Sequence, residues 1–180
     1  LLNYAFETAC SAFDDEETDP VQAGRALQIL ARKAGIYGMI GGQVVDVKES
    51  GHAVSGETLD FIYRLKTSAL IESSMMIGAV LAGADKDQVS AMEKIGEKIG
   101  LAFQIQDDIL DVTGNEEDLG KPVHSDEKNE KTTYVTWKGL EKAREDVARM
   151  TEEAVKELRR FDAPDDFLEQ LLVSLVGRKK

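Results

Sequence analysis

With 180 residues and a net charge of −12, the chain is sized for one domain with a real core, and its acidity argues against nucleic acid or an anionic membrane as partner. One cysteine, Cys10, leaves no disulfide framework. The longest charge-free run, Ser73–Ala84, is too short and too rich in Gly and Ala for a bilayer span. No secretory signal is visible, so a reducing cytoplasm is the expected setting.

Strand signals are nearly absent and helical periodicity dominates, which predicts an all-α domain of about six helices. Leu1–Phe13 reads as the end of one helix, closed by the acidic run Asp14–Asp19. The opening Leu1–Leu2–Asn3–Tyr4–Ala5–Phe6–Glu7 lacks Met and is already in helical phase, as expected of part of a longer protein. Asp19 caps a second helix with Pro20 in its first turn. It is expected to run to about Val47 and to break at Glu49–Ser50–Gly51–His52.

A third helix starts at Ser55 or Glu57 and carries Leu59, Ile62, Tyr63, Leu65 and Lys66, then Leu70, Ile71, Met75, Met76 and Val80. Lys66–Thr67–Ser68 sets a lysine and two hydroxyls inside that apolar helix, which predicts a break or functional bend. Gly83–Ala84–Asp85 ends it and caps a fourth helix from Lys86 to about Val112. Gly96 and Gly100 lie on the same stripe of that helix as Asp107. Each costs roughly 1 kcal/mol against alanine, and the spacing fits equally a close helix contact or room for a ligand. Thr113–Thr133 is a long polar connection with the character of a lid or binding loop. Tyr134–Trp137 forms a short helix, Gly139–Arg160 an amphipathic one, and Pro164 opens the last, Asp165–Val176.

The densest chemistry sits in Gly100–Asp111. On a helix Asp108 lies about 100° from Asp107, Asp111 returns to about 40°, and Gln104 stands at about 60°. Three carboxylates and an amide thus share one side of an otherwise apolar segment. Crowded carboxylates repel one another in a dry site, and a hard divalent cation removes that conflict, with Mg2+ taking one or two carboxylates plus phosphate oxygens. With 34 acids in 180 residues, such a triplet arises about once by chance and often marks only a solvated face. The apolar flank and the in-phase Gln104 favour a metal–diphosphate clamp.

Four groups of residues then fall in order and at matching spacing: Lys66–Thr67; Gly100 to Ile105 with Asp107–Asp108–Ile109–Leu110–Asp111; Leu119–Gly120–Lys121–Pro122; and Asn129 to Val135 around Lys131. Together with Gly41–Gly42–Gln43 and Asp46 they resemble the trans-prenyl diphosphate synthases, most of all the short-chain bacterial farnesyl diphosphate synthases. The similarity runs over essentially all 180 residues. It implies the C-terminal part of one isoprenoid synthase-type bundle of long helices around a deep cavity, usually as a homodimer. In that family two aspartate-rich motifs face each other and hold three Mg2+, for which Mn2+ can substitute, against an allylic diphosphate.

By resemblance Asp107, Asp108 and Asp111 are metal ligands of the second motif, and the first lies upstream of Leu1. Asp14–Asp19 has the wrong spacing to replace it. Lys66, Lys121 and Lys131 match the family's diphosphate-binding lysines, and lysine suits phosphate as a point charge with three donors. Thr67 and Gln104 match residues whose oxygens stabilise a carbocation. Gln43, on the substrate side, and Asp46, on the metal side, stand just behind the cluster. Ser68 departs from the glycine common after Lys-Thr.

The activity implied is Mg2+-dependent condensation of isopentenyl diphosphate with an allylic diphosphate to give farnesyl diphosphate. Geranylgeranyl diphosphate synthesis, a class I terpene cyclase and a non-catalytic subunit are the alternatives. Glu49–Ser50–Gly51–His52 formally matches a di-iron Glu-x-x-His, but no second copy accompanies it.

Overall fold

A computed structural model describes residues 1–114, 131–161 and 166–178. These residues form nine α-helices and no strand. In chain order they are α1 (Leu2–Cys10), α2 (Pro20–Ala34), α3 (Met39–Lys48), α4 (Gly56–Tyr63), α5 (Ala69–Leu81), α6 (Lys86–Thr113), α7 (Tyr134–Lys138), α8 (Leu140–Leu158) and α9 (Phe167–Val176). Ser11–Phe13 adds a 3-10 turn to α1, and Arg64–Ser68 joins α4 to α5 as a π turn.

α6 is the axis of the fold. It packs against α5 on one side and α8 on the other, with α2 behind α5 and α9 resting on α6 and α8. Ile95, Ile99, Ala102 and Ile105 repeat at helical spacing and are essentially inaccessible to solvent. Fully burying each isoleucine contributes roughly 1.5–3 kcal/mol. Asp85 starts α6 with a capping box: it accepts from the Gln88 amide at 2.8 Å, and the Gln88 side chain returns to the Asp85 amide. Across the helices Lys33 of α2 is paired with Glu72 of α5 and, at 2.6 Å, with Glu93 of α6. No helix among the described residues is long and apolar enough to cross a membrane.

One expected helix is two. The run from Pro20 to Val47 breaks after Ala34 and restarts at Met39. The turn folds so tightly that a Cβ on Gly38 would collide with the Lys33 carbonyl, and one on Gly35 would sit 2.8 Å from the Ala31 oxygen. The reversal therefore needs both glycines. The break leaves Ile36 and Tyr37 exposed in the turn and Ile40, Val44 and Val47 exposed along α3. Most other boundaries agree to within two residues. Ser55 caps α4 by accepting from Thr58 N at 3.1 Å, and the bend expected at Lys66–Thr67–Ser68 is the π turn. Most of the Thr113–Thr133 connection, with Pro164 and Asp165 before α9, lies outside the described residues.

Candidate active site

The site is built on the seam between α6 and the α4–α5 pair, and its registry begins with glycine. A Cβ on Gly96 would stand 2.7 Å from Glu72 Cα, and one on Gly100 would stand 2.5 Å from Ser68 Cα. Close packing is thus what these glycines serve. Their row of four-residue steps continues along α6 to Gln104 and Asp108. Gln104 Oε1 accepts from Thr67 Oγ1 at 2.9 Å, and Asp108 Oδ2 accepts from Tyr63 Oη at 2.5 Å. The contact row therefore leads to Asp108, leaving Asp107 on the open edge: its side chain is 41% exposed, whereas Asp108 and Asp111 are 4% exposed.

α3 approaches the π turn in the same manner. A Cβ on Gly42 would collide with Lys66 N, so the helix nests there, and one turn on the buried Asp46 meets the Lys66 ammonium. Lys131 reaches the other oxygen of Asp46 at 3.0 Å from across the fold. Burial alone would raise the pKa of Asp46, but the bonds from Lys66 and Lys131 outweigh it and hold the carboxyl below the ordinary range. Both oxygens of Asp46 thus serve two lysines, which it draws together. Gln43 is half-buried on α3 in the turn before it. Lys121 lies outside the described residues.

The π turn explains why Lys66 and Thr67 face the same site from a nominally continuous helix. It widens one turn, shifts the phase between α4 and α5, and is a form that recurs at functional sites. Ser68, in place of a glycine, is fully buried against Gly100, with its hydroxyl 3.4 Å from the Tyr63 carbonyl. The substitution is accommodated because the opposing residue has no side chain.

Magnesium would require hard oxygen donors. Among the described residues no three acidic, histidine or cysteine groups converge to hold a metal ion by themselves. Asp107 fits one side of such a site, as a carboxylate at the rim. Asp108 is buried, and one of its oxygens receives Tyr63 Oη and, at 2.7 Å, the Tyr134 amide. Asp111 is equally buried, one turn beyond Asp107.

Three participants lay outside the sequence reading. Tyr63 was visible only as an apolar position, although a hydroxyl in a helix core calls for a partner. Tyr134 enters through its backbone amide and through Oη, which donates to Asp146 at 2.8 Å. Arg178 folds back over the Phe103 ring, 3.7 Å from its centroid, and donates to Asp107 Oδ1 at 3.0 Å, 71 positions away in the chain. Gln106 holds the Arg178 carbonyl at 3.3 Å.

Known proteins resemble this chain in sequence and in fold. The chain is 40% identical over 162 residues to a farnesyl diphosphate synthase of Geobacillus stearothermophilus, covering 90% of this chain and 54% of that protein. It is also 40% identical over 166 residues to a heterodimeric geranylgeranyl pyrophosphate synthase large subunit of Arabidopsis thaliana, covering 91% and 45%. A crystal structure of a Helicobacter pylori geranyltransferase, complexed with magnesium and isoprenyl diphosphate, superposes with a TM-score of 0.78 at 30% identity. That match covers 97% of this chain and 56% of that one. The chain thus spans about half the length of the relatives it matches. The polyprenyl synthetase model matches residues 3–172, and the chain belongs to that family.

Proposed function

We propose that the protein carrying this chain is a prenyltransferase that condenses isopentenyl diphosphate with dimethylallyl or geranyl diphosphate, and that its product is farnesyl diphosphate. The observation that carries this reading is the convergence of Lys66 and Lys131 on buried Asp46, on the same π turn that sets Thr67 against Gln104. The lysines supply the charge that an allylic diphosphate needs as it leaves, and they are prealigned at little reorganisation cost. Asp107 is the metal ligand at the rim, with Asp111 behind it. Bound magnesium, expected as three ions, would supply Lewis-acid stabilisation of the leaving diphosphate.

In the reaction the allylic C–O bond breaks and the diphosphate leaves with the electron pair. The Thr67 and Gln104 oxygens face the carbon that becomes cationic. The isopentenyl double bond then forms the new C–C bond, and a proton is lost to the released diphosphate. Lys121 and Gln43 complete the diphosphate contacts in this reading.

Geranylgeranyl diphosphate is the second reading for the product, favoured by the equal identity to the plant relative. Incubating the full-length protein with isopentenyl diphosphate and either dimethylallyl or geranyl diphosphate, then measuring product chain length, separates the two. Absence of any condensation product would end the prenyltransferase reading. The exposed stripe from Ile36 to Val47 supports a homodimer, which sedimentation of the full-length protein would reveal. The acidic chain supports no role for nucleic acid or membrane, and a cytoplasmic setting is part of the proposal.

A further inference from the structure

We infer that Asp108 is a positioning residue and not a magnesium ligand: it pins the segment Lys131–Tyr134 to α6 so that Lys131 stands opposite Lys66 on Asp46. The inference deepens the proposed function and rests on it for the role of Lys131. Asp108 Oδ2 accepts two hydrogen bonds at once, from Tyr63 Oη at 2.5 Å and from the Tyr134 amide at 2.7 Å. Bonds to an ionised carboxylate are shorter and stronger than neutral ones, and this oxygen is committed to both donors. Asp107, the adjacent carboxylate, is instead at the solvent edge.

The pinned segment is fastened at successive residues. Thr132 Oγ1 accepts from the Val54 amide at 3.0 Å. Thr133 is buried and caps α7, accepting from Thr136 N at 3.2 Å. Tyr134 then donates its amide to Asp108, so α7 begins on the same helix that carries the acids. Lys131, one residue before these fastenings, reaches Asp46 at 3.0 Å. Its side chain is 41% exposed, so where the backbone of Lys131 is held decides where its ammonium can reach. Release of the Tyr134 amide frees the segment at the point nearest α6.

Asparagine separates the two roles. Its amide oxygen accepts both hydrogen bonds but carries no charge for a metal. In the full-length protein, hydrogen–deuterium exchange of 131–138 reads the pin, and calorimetric titration of magnesium with inorganic pyrophosphate reads the site. Asp108→Asn is expected to leave exchange and pyrophosphate affinity within about twofold of wild type, whereas Asp108→Ala should raise exchange at Tyr134 and weaken pyrophosphate binding by roughly tenfold or more. Asp108→Ala and Lys131→Ala should be non-additive in pyrophosphate affinity, since one acts through the other.

An Asp108→Asn protein that keeps its exchange protection but loses magnesium-dependent pyrophosphate binding as severely as Asp107→Asn would overturn the inference. So would unchanged protection in Asp108→Ala. If Asp108→Ala does not fold, the asparagine variant still decides. A wild-type protein that shows the protection but binds no pyrophosphate would defeat the proposed function and leave the pin standing.

Discussion

The two ends of the seam between α5 and α6 are built on opposite terms. At the π-turn end polar side chains are paired with one another: Asp46 with two lysines, Thr67 with Gln104, Asp108 with Tyr63 and Tyr134. Beyond the π turn, along α5, runs an apolar groove of about 670 Å³ whose walls include Leu70, Met75, Gly78, Met92, Leu171 and Leu175. Glycine serves both ends in contrary ways. Gly96 and Gly100 are pressed against backbone, whereas Gly78 has nothing within 4 Å of where its Cβ would stand. Close fitting is concentrated where charge must be handled, and the apolar groove is left open.

The contrast can be broken most severely by testing this half alone. The 180-residue chain, produced without the remainder of its relatives' length, is expected to show no turnover in a radiolabelled condensation assay. Product at rates near those of the full-length protein would mean that the two-sided clamp is unnecessary. Within the full-length protein, Asp107→Ala should cost about 2–4 kcal/mol in kcat/KM, as for loss of one electrostatic stabiliser. A change under about twofold would remove Asp107 from the metal site.

Substitutions at the glycines sharpen the comparison on stability. Gly100→Ala brings a methyl group against Ser68 Cα, which can move only with the backbone, and should destabilise by about 1–3 kcal/mol in denaturant unfolding. Gly78→Ala enters open space within a helix and should stabilise by roughly 1 kcal/mol. If the two shifts matched in sign, the groove would be as tightly built as the seam.

The smallest effect concerns α7. Burial, then the hydrogen bond to Asp146, pushes the Tyr134 phenol up to about 12. Because the folded value is raised, the stability it represents is complete below the ordinary tyrosine range near 10 and is lost as pH rises toward 12. Ultraviolet titration should show a late-ionising tyrosine component, and Tyr134→Phe should diminish it.

Much of this was legible in the sequence, for identifiable reasons. Asp85 forms the cap its position before Lys86 announces, and Lys66–Thr67–Ser68 marks the bend because polar groups interrupt an apolar face. Gly96 and Gly100 were ambiguous because a ligand and a neighbouring helix make the same demand, the absence of a Cβ. The reversal at Gly35–Gly38 was hidden by apolar residues that continue in helical phase across it. Asp108 read as a twin of Asp107 because its distinguishing partners are a backbone amide, which no side-chain pattern encodes, and a tyrosine hydroxyl from another helix. Arg178 offered no local signal, since its contact with Asp107 spans 71 residues.

The widened turn at Arg64–Ser68 also limits how this molecule can change. It amounts to one surplus residue in a helix that could otherwise run straight from Gly56 to Leu81. Deleting that residue would regularise the spiral and abolish the turn that presents Lys66 to Asp46 and Thr67 to Gln104. Length variation is therefore least tolerable at the spot where the local coil is least ideal.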